Sequence, residues 1–201
     1  MPEGRALVVY IVDDDASIRD SLALMLGLSG YATRLFADAE SFLVAFDAAW
    51  AGCVVADVRL PGISGIELQA RVRGLGSSIP FVIITAHGDV PAARAAFRAQ
   101  AVDFIEKPFE DAQLRSAIDT AFALETERLG STELRRQDAE KLSRLTPRER
   151  EVLEHAVNGL HAKEIASALG ISPRTVEVHK MRIMEKLDVR NIAELVRLRF
   201  R

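Results

Sequence analysis

Asp57, Asp13, Asp14, Thr85 and Lys107 are the side chains of this sequence whose types and surroundings suit chemistry on a phosphoryl group. Each follows or closes a strand-like stretch: the apolar runs 7–12, 53–56 and 79–84 lead into Asp13-Asp14-Asp15, Asp57 and Thr85, and the mixed stretch 102–106 leads into Lys107. Two adjacent acids with a third elsewhere offer hard oxygen ligands to Mg²⁺ (or Mn²⁺), an ion that keeps several waters and needs only one or two carboxylates. With a cation offsetting carboxylate repulsion, one carboxylate can act as nucleophile toward a phosphoryl group and become an aspartyl phosphate. Lys107 would bring a point charge and Thr85 a hydroxyl to the phosphoryl oxygens. Asp57, the single acid on its run, is the candidate nucleophile, and the Asp13/Asp14 pair suits the metal. Taken singly, each acid is more often a cap or a solvated strand end, and Thr85 an ordinary strand residue. It is their common placement at strand ends that carries weight.

The elements that must position them alternate. Apolar runs 7–12, 31–36, 53–57, 79–85 and 102–106 have the pattern of strands, the second nearer an edge because Thr33 and Arg34 interrupt it. Between and after them, 17–28, 41–49, 64–73, 91–100 and 111–129 carry apolar residues at helical spacing. Five strands alternating with five helices give an α/β domain with a doubly wound parallel sheet. Ligands of such sheets collect outside the carboxyl ends of the strands, where all of the candidate residues fall.

The expected domains are 1–124, a linker at 125–145 with helical potential weakened at Gly130, and a small all-α domain at 146–201. Thr146-Pro147-Arg148-Glu149 combines a capping box with proline at the first helical position. Helices then follow to about 157, over 163–169, from 173 to about 187 and over 191–200, and the middle pair joined by a short glycine-containing turn makes a helix-turn-helix. Charge is divided accordingly: residues 1–145 hold 15 Lys/Arg against 21 Asp/Glu, and 146–201 hold 11 against 8. An acidic front and a basic tail fit a regulatory domain joined to one that binds nucleic acid. The single cysteine, Cys53, lies in a buried run, so no disulfide framework is expected. No apolar stretch is long enough to span a bilayer, so no membrane partner and a cytoplasmic location are expected.

Ile11-Val12-Asp13-Asp14-Asp15, Val55-Ala56-Asp57, Leu60-Pro61-Gly62-Ile63-Ser64-Gly65, Thr85-Ala86-His87-Gly88-Asp89-Val90-Pro91 and Val102-Asp103-Phe104-Ile105-Glu106-Lys107-Pro108-Phe109 together resemble the receiver of a two-component response regulator. Residues 146–201 resemble a LuxR/NarL-type DNA-binding domain, and the whole is similar to the FixJ-like branch of the FixJ/NarL family. The resemblance implies Asp57 as phosphoacceptor, Asp14 and Asp57 as direct Mg²⁺ ligands, Asp13 acting through water, and the Arg59 carbonyl completing the set. It implies Thr85 and Lys107 as phosphoryl binders, Phe104 as the aromatic partner of Thr85, and a cis Lys107–Pro108 bond. The implied partners are a sensor histidine kinase, double-stranded promoter DNA, RNA polymerase and a second copy of the phosphorylated chain. Two positions depart from the family pattern: Gln100 stands where glycine is usual, and Arg94 where a small apolar residue is usual. His87 lies two residues beyond Thr85, and two readings stand for it: a group that reaches the phosphoryl group, or a loop histidine facing solvent.

On a helix starting near Pro173, placing Val176 on the buried face puts Ile183 and Leu187 beside it and turns Arg174, Glu177, Val178, Met181 and Glu185 outward. Glu177 could accept from cytosine N4, and Val178 or Met181 could touch a thymine methyl. Lys163, Arg174, Thr175 and Lys180 are candidate phosphate anchors. The family's Ser-Asn before Lys163 is replaced by His161-Ala162. The expected protein is a phosphorylation-switched transcription factor rather than a turnover enzyme, with at most slow self-phosphorylation and self-dephosphorylation. A Mg²⁺-dependent phosphatase would use the same acids but leaves the tail unexplained. An RNA- or protein-binding output is the other rival.

Overall fold

The computed structural model describes residues 6–86 and 90–200. By internal contacts the chain divides into two compact units, 1–129 and 130–201. In the first, strands β1 (Val8–Val12), β2 (Ala32–Phe36), β3 (Gly52–Asp57), β4 (Phe81–Thr85) and β5 (Asp103–Glu106) alternate with helices α1 (Ala16–Leu28), α2 (Ala39–Ala45), α3 (Gly65–Gly74), α4 (Val90–Arg98) and the portion to Leu129 of α5 (Asp111–Ser143). The sheet is wholly parallel in the order β2-β1-β3-β4-β5.

Continuous apolar strands suit this arrangement because both faces are covered. Val9, Ile11, Cys53, Val55, Val82, Ile84 and Ile105 face Leu22 and Leu26 of α1 and Leu114 and Ile118 of α5. The alternate residues, among them Tyr10, Val12, Val54, Ala56 and Ile83, face Phe42 of α2, Leu68 and Val72 of α3 and Ala96 of α4. Burial of Cys53 pushes its thiol well above the ordinary range, so it is an inert core residue. At the start of β3, Gly52 has φ +138°, and a Cβ there would sit 1.9 Å from the Val8 carbonyl oxygen. Only glycine allows β1 and β3 to run that close.

Several boundaries differ from the sequence expectation. Helix α2 stops at Ala45 because Phe46 turns extended and stacks its ring on Phe42. Strand β4 begins at Phe81, after Pro80, which has no amide to donate. Helix α5 continues through Gly130 to Ser143. A mid-helix glycine costs about 1 kcal/mol relative to alanine. Ion pairs Glu133–Arg136, Arg136–Glu140 and Glu140–Arg144 at helical spacing favour the helix beyond it. Among the described residues no helix is long and apolar enough to cross a membrane.

The second unit holds α6 (Pro147–Val157), α7 (Ala162–Leu169), α8 (Pro173–Leu187) and α9 (Ile192–Phe200) around Leu145, Val152, Leu153, Ile165, Val176, Ile183, Leu187 and Leu195. Gly170, left-handed at φ +65°, ends α7, and Ser172 caps α8 two residues later by accepting from the Thr175 amide at 3.1 Å. At the start of α6, the Thr146 hydroxyl accepts from the Glu149 amide, and the Glu149 carboxylate accepts from the Thr146 amide at 2.8 Å. Glu149, only 3% exposed, also accepts from Lys186 Nζ at 2.7 Å, which ties α6 to the end of α8. Burial alone would raise its carboxyl, but the Lys186 ammonium and the Thr146 donors outweigh that and hold it below its ordinary value.

A depressed carboxyl stabilises the fold above its unfolded pKa of about 4.3, and the gain is lost as pH falls through the lower folded value. Replacing Glu149 by Gln should therefore lower the hydrogen-exchange protection of α6 and α8 amides at neutral pH by an amount equivalent to about 1–3 kcal/mol. The difference from the unmodified chain should begin to shrink as the pH is taken below about 4.3 and should vanish only below the lower folded value. Equal protection at neutral pH would count against the tie.

Candidate functional site

Register brings the strand ends level: Val12 pairs with Ala56, Asp57 with Ile84, and Thr85 with Glu106. Asp13, one residue beyond β1, and Asp57, the last residue of β3, are 1% and 5% exposed. Lys107, one residue beyond β5, crosses under the tip of β4 and donates to both. Its Nζ lies 2.7 Å from Asp13 Oδ2 and 2.8 Å from Asp57 Oδ1. Burial alone would lower the Lys107 ammonium, but the bonds to Asp13 and Asp57 more than reverse this, so it stays charged throughout the neutral range. The Lys107 amide donates to the Thr85 carbonyl at 2.6 Å, and the Lys107–Pro108 bond is cis.

The remaining oxygens are held locally. Asp57 Oδ2 accepts from the Arg59 amide at 2.5 Å, and Asp13 Oδ1 from the Asp15 amide at 3.0 Å. Asp14 is exposed beside them. Thr85 is fully buried at the end of β4. Phe104 on β5 is half-buried and packs on the cluster that contains Ile83 and Ala96. Asp13, Asp57, Thr85 and Lys107 are thus gathered at one end of the sheet, around the point where strand order reverses between β1 and β3. His87 lies outside the described residues.

Two features were not singled out from sequence. Gly65 opens α3 against the back of the site, where a Cβ would lie 2.1 Å from the Asp57 carbonyl oxygen. Arg19, in the first turn and a half of α1, donates from Nη1 to the Asp13 carbonyl at 2.6 Å. A helical pattern opening with glycine and a cation near a helix start, where the macrodipole disfavours it, were the available signals.

Gln100 adopts the left-handed conformation, φ +62°, at the end of α4. Its side-chain oxygen accepts from Arg73, and Gln69 Nε2 donates to the neighbouring Ala99 carbonyl at 2.8 Å, so α3 holds the strained cap. Arg94 and Arg98 are exposed on α4, as are Val90 and Phe97.

In the second unit, Val176, Ile183 and Leu187 bury one face of α8, while Arg174, Thr175, Glu177, Val178, Met181 and Glu185 are exposed. Met181 is 62% exposed, a large apolar side chain in solvent next to charged neighbours. Lys180 is half-buried and lies 3.4 Å from Glu177, and Thr175 shares its hydroxyl with the Ser172 cap at 2.8 Å. Lys163 is exposed near the start of α7, whose first turn is closed by Glu164 accepting from the His161 amide at 2.7 Å.

Residues 9–119 match the response regulator receiver domain, and 143–199 match the bacterial regulatory proteins of the luxR family. The chain is 45% identical to the transcriptional regulatory protein FixJ of Bradyrhizobium diazoefficiens over 96% of its own length and 94% of that protein. It is a response regulator of the FixJ type.

Among solved structures it is similar to the response regulator StyR, with TM-score 0.85 and 42% identity over 96% of this chain and 98% of that one. It is also similar to full-length FixJ from B. japonicum, with TM-score 0.60 and 43% identity over 98% and 97%. The protein is accordingly a phosphorylation-dependent transcription regulator with a kinase and DNA as partners, and not a turnover enzyme. Receiver domains use Mg²⁺ for phosphorylation. Among the described residues no three His, Cys, Asp or Glu side chains form a ready cage for a metal. The Lys107 ammonium instead acts as a stand-in cation, and the Asp13 and Asp57 oxygens converge on it. Two converging carboxylates with a third acid exposed beside them fit an ion that keeps most of its waters.

Gly65→Ala should cost about 1–3 kcal/mol in denaturant unfolding, because the added methyl meets backbone. Gly74→Ala, nine residues on at the end of α3 and facing open space, should be neutral or slightly stabilising. Equal behaviour of the two variants would refute the close approach.

Proposed function

We propose that Asp57 is the phosphoacceptor and that residues 1–124 form the receiver, 125–145 a helical linker and 146–201 the DNA-binding domain. The observation that carries this is the convergence of Lys107 on Asp13 and Asp57 at the carboxyl ends of the strands. One Asp57 oxygen forms the new O–P bond as the N–P bond to the kinase histidine breaks. That imidazole, protonated on its other nitrogen, leaves as the neutral ring. Lys107 exchanges one carboxylate partner for a phosphoryl oxygen, and the Thr85 hydroxyl donates to another. Asp14 and Asp57, with the Arg59 carbonyl and with Asp13 through water, would hold Mg²⁺ (or Mn²⁺), which when bound neutralises charge on the phosphoryl oxygens.

Drawing Thr85 toward the phosphoryl group vacates space that Phe104 can enter, and the α4–β5 surface repacks. Val90, Arg94 and Phe97 belong to that surface and would meet a second copy. Dimerisation then sets two α8 helices at a fixed half-site spacing in the major groove. Glu177, Val178 and Met181 face the bases, and Lys163, Arg174, Thr175 and Lys180 the phosphates. A cytoplasmic location and contact with RNA polymerase complete the proposal. The change is a population shift, so a preference of a few kcal/mol for the active state changes occupancy by orders of magnitude.

Gel-shift titration with and without acetyl phosphate tests the acceptor. The unmodified chain should bind its promoter more tightly when phosphorylated, and Asp57→Asn should bind equally weakly in both conditions. A phosphodonor-dependent gain surviving in Asp57→Asn would overturn the assignment. On the DNA side, Lys163→Ala should weaken binding uniformly across sequences and reduce the salt slope by about 1. Glu177→Ala should instead change base preference with the salt slope kept, and the reverse pattern would reassign the two residues.

A further inference from the structure

We propose that Arg19 is a positioning residue that fixes the peptide between Asp13 and Asp14, and through it the affinity of the acidic turn for a divalent cation. The inference rests on the phosphoacceptor site proposed above. It deepens that reading by naming a residue outside the motifs.

Every hydrogen-bonding group of Asp13 has a partner. Its amide donates to the Phe36 carbonyl at 3.2 Å, Oδ1 accepts from the Asp15 amide at 3.0 Å, and Oδ2 accepts from Lys107 at 2.7 Å. Its carbonyl accepts from Arg19 Nη1 at 2.6 Å, which makes Arg19 the lock on this peptide plane. The same plane carries the Asp14 amide, so its orientation sets the direction in which the exposed Asp14 carboxylate leaves the chain. Asp15, the N-cap of α1, holds the turn from the other side, its carboxylate accepting from the Ser17 amide at 2.8 Å and the Ser17 hydroxyl at 2.6 Å.

The placement of Arg19 has a cost that packing does not explain. A cation near the N-terminal end of a helix opposes the macrodipole; the first turn of α1 holds no acid, and the Asp15 carboxylate at its N-cap is engaged by Ser17. Arg19 is half-buried, and its long side chain reaches back over the turn instead of outward. Its charge also reaches Asp38, whose carboxyl is held low chiefly by the Ser41 amide it caps and in smaller part by Arg19. As a cation it should, by charge alone, weaken binding of a second cation nearby. Geometry and charge thus make opposite predictions for its removal.

Mg²⁺ titration of the full chain without phosphodonor, followed by amide chemical shifts around Asp14 and Asp57, separates the two. If Arg19 positions the turn, Arg19→Met should weaken the Mg²⁺ dissociation constant about tenfold or more, the usual effect of removing an outer support of a metal ligand. Arg19→Lys, which keeps one donor, should recover part of the loss. The initial rate of phosphorylation by acetyl phosphate should be low at limiting Mg²⁺ and return to that of the unmodified chain at saturation. Unchanged or tighter Mg²⁺ binding by Arg19→Met overturns the inference while leaving the site intact. If Arg19→Met does not fold, Arg19→Lys alone decides, and an affinity equal to the unmodified chain's overturns it. Failure of the unmodified chain itself to respond to Mg²⁺ would instead overturn the site, and Arg19's role with it.

Discussion

One half-buried ammonium between two buried carboxylates governs the first unit. Asp13 and Asp57 end neighbouring strands and are almost wholly removed from water, so their charges would repel strongly without Lys107. Lys107 reaches them from the far side of β4, which joins the tips of β1, β3 and β5 through side chains as the sheet joins them through backbone. Such a triad is costly to desolvate and contributes little net stability, but it holds two acids ready with their neutralising charge already in place. A carboxylate in that setting needs little reorganisation to receive a phosphoryl group, because the donor for the product's oxygens is already there.

The parallel sheet is what makes the triad possible. Both faces of the central strands β1, β3 and β4 are apolar and covered, so their polar groups are presented at the carboxyl ends, and the register sets those ends level. Glycine supplies the two closest approaches, Gly52 beside Val8 and Gly65 beside Asp57. The second unit repeats the logic in helical form. Val176, Ile183 and Leu187 lock one side of α8 into a small core, and the other side is exposed to solvent. Here too a buried acid, Glu149, is matched by a lysine, Lys186, from a distant turn.

Much of this was legible in the sequence because burial on both faces leaves a plain signal. The strands around Val9, Val55 and Ile83 are continuous apolar runs, and the acids that end them stand out by contrast. The α8 faces followed from helical periodicity alone, and the cap at Thr146 from a four-residue motif whose two bonds are both present. What escaped depends on direction and distance rather than residue type. That Asp13 is the buried acid and Asp14 the exposed one follows from the path of the turn. The Arg19 contact depends on a flexible side chain folding back across a helix end. Gly65 looked like any turn glycine until the Asp57 carbonyl was seen behind it. Helical potential over 125–145, weakened at Gly130, was legible; that the helix runs unbroken to Ser143 goes with ion pairs along α5, a weak pattern set against a strong breaker.

The central claim is that one particular carboxylate among several neighbouring ones carries the phosphoryl group. Reducing the phosphorylated chain with borohydride converts an aspartyl phosphate to homoserine, and peptide mass mapping then locates it. The expected outcome is homoserine at position 57 alone, with Asp13 and Asp14 recovered unchanged. Homoserine at 13 or 14, or at any acid outside the strand tips, would contradict the account.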